Sequence, residues 1–227
     1  MSEQGTFYIH KLYPLQDQVL SLFTNLKSRF YLTGGTAISR FMLNHRYSDD
    51  LDFFLNNDKE FTVEAERAIS KLAELFNSGI NVTYKSSSFY RATINSQDIS
   101  LKLDFVNDVG FHSGEFLQND KYHKIDNEKN ILSNKLSALQ RGAAKDVADI
   151  LYLSFQYEFN WMDIIEDAKK KDTWVNEIDV ATGLNDFSIE LLNQVKWVND
   201  PDYPYLKKCL NIIAKDILMA ADNSLYK

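Results

Sequence analysis

Three aspartates and two glycines carry the residue types and spacing in this chain that could do chemistry. In "YLTGGTAISRFMLNHRYSDDLDFFLN", residues 31–56, Asp50 and Asp52 stand two apart among Leu51, Phe53, Phe54 and Leu55. Aspartate is depleted in strands and an unpaired buried carboxylate is costly, so these acids need water or a counter-charge. On a strand, residues two apart point to the same side, so Asp50 and Asp52 converge while Asp49 turns to the other side. Like charges this close raise each other's pKa unless a cation lies between them, and hard oxygen donors suit Mg²⁺ or Mn²⁺. Asp104 alternates with apolar residues in "ISLKLDFV" and is placed to be a third ligand. Three carboxylates on adjacent strands can hold two metal ions about 3.5–4 Å apart, one activating an attacking oxygen and one steadying a leaving group. Gly34-Gly35, between a strand and a helix, lets backbone N–H groups approach a phosphate closely.

Positioning these residues falls to an expected α+β arrangement. "LYPLQDQVLSLFTNLK" has helical spacing, "FYLTGG" reads as a strand entering a turn, and "TAISRFMLNH" as a helix with Thr36 as its N-cap. "DLDFFL" is the next strand. The helix after it places Val63, Ala65, Ala68, Ile69, Leu72, Leu75 and Phe76 on one face and closes at Asn77, Ser78 and Gly79. "INVTYKSS", "SFYRATIN" and "ISLKLDFV" form a strand meander, in which Lys102 and Asp104 share the face opposite Leu101, Leu103 and Phe105. A polar link over 112–130 leads into a helical region. There, two helices break near Gly142, and further helices are expected in "NWMDIIEDAKKK", "NDFSIELLNQVKWV" and "DYPYLKKCLNIIAKDILMAAD". The division expected is a core over 1–126 and a helical C-terminal region over 127–227.

Composition excludes several classes. With 227 residues, 44% of them hydrophobic, the chain can bury a real core and is not a disordered one. A formal net charge of -7 removes the global basic field of a nucleic-acid coat protein, so any nucleic acid must be gripped locally. A bound divalent cation could still reverse the field within an acidic pocket for small anionic substrates. The lone Cys209 excludes an internal disulfide and fits a reducing cytoplasm. No basic leader followed by an apolar run opens the chain and no stretch is apolar for long enough to span a bilayer, so a cytoplasmic protein without a membrane segment is expected. Trp161, Trp174 and Trp197 lie in apolar helical patterns and read as core.

An Asp-x-Asp alone recurs in glycosyltransferases and phosphatases, and a glycosyltransferase would need a second domain of parallel strand-helix units that the chain does not show. The order of Gly-Gly, spacer and Asp-h-Asp-h, with h apolar, resembles the signature of the DNA-polymerase-β-like nucleotidyltransferase superfamily. More narrowly, Gly34-Gly35-Thr36-Ala37, His45-Arg46, Ser48 and Asp50-Leu51-Asp52-Phe53-Phe54 resemble the AbiEii/AbiGii toxin family, as does "LSNKLSALQRGAAKDVADILYL". The resemblance implies a small mixed or antiparallel nucleotidyltransferase sheet flanked by helices, and transfer of NMP from an NTP to an acceptor hydroxyl with Mg²⁺ or Mn²⁺. It implies that Gly34, Gly35 and Thr36 cradle the triphosphate, that Asp50 and Asp52 bind metal, and that Asp104 completes the set as general base. Lys135 matches a phosphate-contacting lysine, Asp146 and Asp149 match an acidic pair with Asp149 the functional member, and Arg46, Ser48 and Lys102 are further nucleotide-binding candidates. The partners implied are RNA, with the tRNA 3′ end favoured, and a cognate antitoxin. The spacer from Gly35 to Asp50 holds 14 residues and Gly35 stands where many relatives carry Ser. The alternative is therefore a binding protein that keeps the fold without turnover.

Overall fold

The computed structural model describes residues 3–77, 79–96 and 98–226; Ser78, expected at a helix end, and Gln97, in an expected turn, lie outside the described residues. The chain forms two compact units, residues 1–37 with 47–126 and residues 38–46 with 127–227. Residues 38–46, counted by sequence with the first region, thus group with the C-terminal helices.

The first unit is built on a mixed sheet of seven strands: β1 (Tyr31–Thr33), β2 (Leu51–Asn56), β3 (Ile80–Lys85), β4 (Phe89–Ser96), β5 (Ile99–Asp108), β6 (Leu117–Asn119) and β7 (Tyr122–Ile125). Their order is β3-β4-β5-β2-β1-β7-β6. The pairs β2/β5 and β1/β7 are parallel and the others antiparallel. Alternation decides the faces. Leu51, Phe53, Leu55, Leu101, Leu103 and Phe105 are buried on one side, where Phe53 meets Phe105 at 5.7 Å and Phe23 at 4.7 Å. Phe23 comes from α2 (Tyr13–Asn25), which continues without a break from α1 (Glu3–Phe7) through a π-type turn, Tyr8–Leu12. Truncating a ring in such a cluster typically costs about 3–5 kcal/mol, so Phe53→Ala should damage this layer by about that much.

Three expectations change here. The helix after β2, α4 (Phe61–Leu75), buries Phe61, Ala65, Ala68 and Leu72, whereas Val63, 64% exposed, and Leu75 face solvent. That narrower stripe still repeats every three or four residues, which suffices for one inward face. The link over 112–130 is not merely polar: β6 and β7 form a hairpin within it, and Leu32 pairs with Ile125 to extend the sheet beside β1. The helix after β1, α3 (Gly34–Ile38), starts at the glycine pair, so Thr36 lies within it and is not its N-cap.

The second unit is helical: α5 (Glu128–Ser137), α6 (Ala144–Gln156), α7 (Trp161–Lys171), α8 (Glu177–Asn185) and α9 (Tyr203–Leu218). Asn127, Asn160, Asn176 and Asp202 cap four of them, each accepting a backbone N–H with its side chain. A 3₁₀ turn at Leu139–Arg141 and Gly142, at φ 64°, separate α5 from α6. The expected helix over 185–198 is reduced to a 3₁₀ segment, Ile189–Gln194, while α8 was not expected. Trp161 and Trp197 are buried, but Trp174 is 82% exposed, against the expectation of a core residue. Residues 38–46 join this unit through a π-type turn, Ser39–Leu43, and a bridge from Arg46 to Trp197. No helix of the described residues is long and apolar enough to cross a membrane.

Candidate active site

The strand register builds a row of side chains on the face opposite the ring cluster. Thr33 of β1 pairs with Asp52 of β2, Asp52 with Asp104 of β5, and Asp104 with Arg91 of β4. With strands about 4.8 Å apart, the row spans about 14 Å across four strands. Asp50 and Lys102 stand two residues before Asp52 and Asp104. Lys102 Nζ lies 2.7 Å from Asp50 Oδ2 and 3.9 Å from Asp104 Oδ2. The Arg91 guanidinium grips Asp104 with both arms, Nε to Oδ1 at 2.7 Å and Nη2 to Oδ2 at 2.8 Å. This hydrogen bond to Asp104 raises the Arg91 pKa. Burial lowers that of Lys102, but the bond and charge of Asp50 outweigh it and the net shift is upward. Asp104 is itself buried, so Arg91 supplies the compensation that an acid in this position requires.

Gly34, directly after Thr33, closes against the row. Its φ is 69°, and a Cβ there would overlap the Asp52 carboxylate. Glycine is required both for the left-handed backbone and for the space Asp52 occupies. Gly35, by contrast, has no such backbone. The chain leading to Asp50 is fixed from behind. Thr36 donates to the Asp50 carbonyl oxygen and its hydroxyl lies 2.9 Å from that of Ser48. Gln16 Nε2 donates to the carbonyls of Ser48 and Asp49 at 3.2 and 3.1 Å, and Tyr8 donates to the Asp49 carboxylate at 2.5 Å. Thr36 and Ser48 are buried in these contacts, which brace the main chain carrying Asp50. Tyr8, Gln16 and Arg91 were missed by sequence reasoning. Arg91 left one signal, its alternation with Tyr90 and Ala92 on a half-buried strand.

Does this donor set fit a divalent cation? Three hard carboxylates share one face, two of them register neighbours, and Gly34 leaves room for the Asp52 carboxylate, so the chemistry of the set fits Mg²⁺ or Mn²⁺. Among the described residues, however, no three carboxylate, histidine or cysteine groups are arranged to hold a metal ion. Lys102 and Arg91 supply the neutralising charge instead.

The remaining candidates meet in a second cluster, within the second unit. Asp149 accepts from Arg46 Nε and Nη2, each at 2.7 Å, and lies 2.8 Å from Lys135 Nζ and 2.9 Å from His45 Nε2. Lys135 also reaches Asp146 at 2.6 Å, and Arg141 approaches Asp146 at 3.4 Å. Burial pushes the Asp149 carboxyl up, but Arg46 and Lys135 overcome it and hold it well below the usual carboxylate range. Burial lowers Lys135, but Asp149 and Asp146 reverse that, and the ammonium stays charged. Burial dominates for His45 and lowers its pKa, so the ring is neutral and donates Nε2–H to Asp149. Asp149 is thereby an anion surrounded by donors, and Arg46, Lys135 and Asp149 are brought together in a buried ion network.

Solved structures share the fold that carries this row and its glycine turn. A proposed nucleotidyltransferase from H. pylori is 21% identical with a TM-score of 0.61, the match covering 96% of each chain. JHP933 from Helicobacter pylori is 21% identical with a TM-score of 0.60, covering 96% of this chain and 93% of that one. MenT4, nucleotidyltransferase toxin Rv2826c from Mycobacterium tuberculosis H37Rv, is 15% identical with a TM-score of 0.59, covering 91% and 82%. No curated protein matches the sequence. Residues 20–203 match the family described as Nucleotidyl transferase AbiEii toxin, Type IV TA system, and the chain belongs to that family. It is a nucleotidyltransferase of the toxin class.

Proposed function

We propose that the chain transfers NMP from an NTP to an acceptor hydroxyl, with RNA such as tRNA as acceptor and a cognate antitoxin as its cytoplasmic partner. The observation that carries this reading is the register pair of Asp52 and Asp104, with Asp50 beside it and Gly34 packed against the Asp52 carboxylate. The triphosphate lies against the Gly34-Gly35 turn, whose backbone can approach it. A divalent cation held by Asp50 and Asp52 would supply the charge neutralisation that phosphoryl transfer needs. The acceptor oxygen bonds to the α-phosphorus, the bond from that phosphorus to the bridging oxygen breaks, and pyrophosphate leaves. The acceptor proton passes to Asp104 once its carboxylate is released from Arg91. Thr36, Ser48 and Gln16 keep Asp50 in place, and the Asp149 network holds Arg46 and Lys135 as charged groups of the second unit. Incubating the protein with each labelled NTP, Mg²⁺ and total RNA should move label into RNA with release of pyrophosphate; no transfer from any NTP removes the reading.

A second reading, a nucleotide-binding protein without turnover, draws on the ion pairs that occupy Asp50 and Asp104. Calorimetry separates the two: NTP binding without pyrophosphate release across RNA and protein acceptors favours the second.

A further inference from the structure

Arg91 stands at the end of the row and has no contact with substrate in the reaction above. We propose that Arg91 is a phosphate clamp for the acceptor RNA, parked on Asp104 until an acceptor phosphodiester takes its place. The inference rests on the transferase reading and deepens it at the acceptor side.

Position comes first. The row runs Thr33, Asp52, Asp104, Arg91, with Gly34 directly after Thr33 and against the Asp52 carboxylate, so Arg91 is at the far end from the glycine turn and flanks the carboxylate assigned to the acceptor proton. In an in-line displacement the attacking and leaving oxygens lie on opposite sides of the phosphorus. With the departing phosphates at the Gly34 end, the acceptor arrives from the Arg91 end.

Chemistry and access agree with that position. The Arg91 side chain is 42% exposed while that of Asp104 is 10% exposed, so the guanidinium is reachable from solvent and the acid behind it is not. The fork that spans both Asp104 oxygens matches the spacing of two phosphate oxygens, which an ammonium would not. Exchanging the carboxylate for a phosphate keeps the guanidinium paired, and Lys102, 3.9 Å from Asp104 Oδ2, stays beside the acid that is released. Phe89, two residues earlier on β4, lies 5.2 Å from the guanidinium and gives it a resting surface after release. Since the chain's net charge of -7 offers RNA no general attraction, a local cation at the acceptor entrance is the kind of grip it needs. The exchange also times the chemistry: Asp104 becomes a free base only when an acceptor is in place.

The test is binding of a short fluorescent single-stranded RNA with a free 3′ hydroxyl across a salt series, beside binding of a fluorescent ATP analogue. Arg91→Ala should weaken RNA binding severalfold and flatten the plot of log affinity against log salt by about 0.7, the value for one lost contact to a single strand. Arg91→Lys should keep most of the salt slope and recover part of the affinity. Asp104→Asn should tighten RNA binding because it frees the fork, and Arg91→Ala in that background should erase the gain. ATP-analogue affinity should stay within about twofold throughout the Arg91 variants, as the clamp acts at the acceptor end. Thermal unfolding checks that each variant folds, and Arg91→Lys with Asp104→Asn decides the matter if Arg91→Ala does not. Absence of RNA binding by the unmodified chain, wild-type-like RNA binding by Arg91→Ala, or equal loss of RNA and nucleotide overturns the proposal. Failure of label transfer by the unmodified chain would instead strike the transferase reading, and leaves these binding results legible.

Discussion

Asp52 and Asp104 are direct register partners on the parallel pair β2 and β5, with their apolar neighbours Phe53 and Phe105 paired on the other face. The same alternation that buries the rings thus brings two acids together. Removing Asp52 relieves repulsion with Asp104 without touching the ring cluster, whereas removing Asp50 gives up its pair with Lys102. Asp50→Ala and Asp52→Ala should each abolish label transfer from NTP, while the urea midpoint holds or rises for Asp52→Ala. Transfer at the normal rate by either variant would strip that residue of its role.

Gly34→Ala combines two faults, a left-handed backbone and a Cβ in the space of the Asp52 carboxylate. The backbone fault alone costs about 1–2 kcal/mol. Displacing Asp52 should lower transfer by more than that loss of stability explains. Parallel measurement of the unfolding midpoint and of the single-turnover rate separates the two, and a variant as active per folded molecule as the parent would count against the packing described for Asp52.

Thr36→Val tests whether the buried hydroxyl serves the main chain or the nucleotide. The hydroxyl bonds the Asp50 carbonyl and meets Ser48. Loss of that bond should cost about 1–2 kcal/mol of stability, because the carbonyl is left unsatisfied. Transfer rate should fall while NTP affinity is kept; an affinity loss with unaltered stability would give the hydroxyl to the triphosphate.

Asp149→Ala should cost about 3–5 kcal/mol, since the buried Arg46 would lose the carboxylate that takes both its arms and Lys135 would keep only Asp146 of its two acids. Combining it with Arg46→Ala should cost less than the sum of the two single changes. Urea denaturation of the four proteins in that cycle measures the coupling, and strict additivity would contradict the network.

His45 gives this cluster a pH dependence of definite sign. Its folded pKa lies below the ordinary histidine value because burial outweighs Asp149, with Arg46 and Lys135 also opposing protonation. Above about pH 6.5 the ring is neutral folded or unfolded; below it the unfolded chain takes up the proton first, so stability falls as pH falls toward the folded pKa, by at most about 1.4 kcal/mol per pH unit. Denaturant titrations from about pH 8 to pH 5 should show this loss, and His45→Gln should remove its part of the slope. An unchanged slope in the variant would assign the dependence to other groups.

Elements whose pattern comes from burial on one face were legible from sequence: β2, β4, β5, α2 and α6 each carry it. The β6 strand was not, because Leu117–Asn119 is short and wholly exposed and so shows no alternation. The α8 helix escaped notice since Thr182, Gly183 and the exposed Ile178 break its apolar stripe, and its clearest sign is the Asn176 cap. Asp50, Asp52 and Asp104 stood out as acids in apolar surroundings. Their counter-ions did not: Arg91 is one strand away in space but 13 residues away in the chain, and only the β4/β5 register brings it to Asp104.

The assignment of residues 38–46 to the C-terminal helices has a consequence for how this protein can be cut or recombined. A fragment ending at residue 126 would retain His45 and Arg46 but lose Asp149, the acid that both of them hold. A C-terminal fragment beginning at residue 127 would carry the acid without them. Neither half is a self-sufficient module, so gene fusions, split-protein reporters and domain exchange with relatives should transplant residues 38–46 together with the C-terminal half or keep the chain whole.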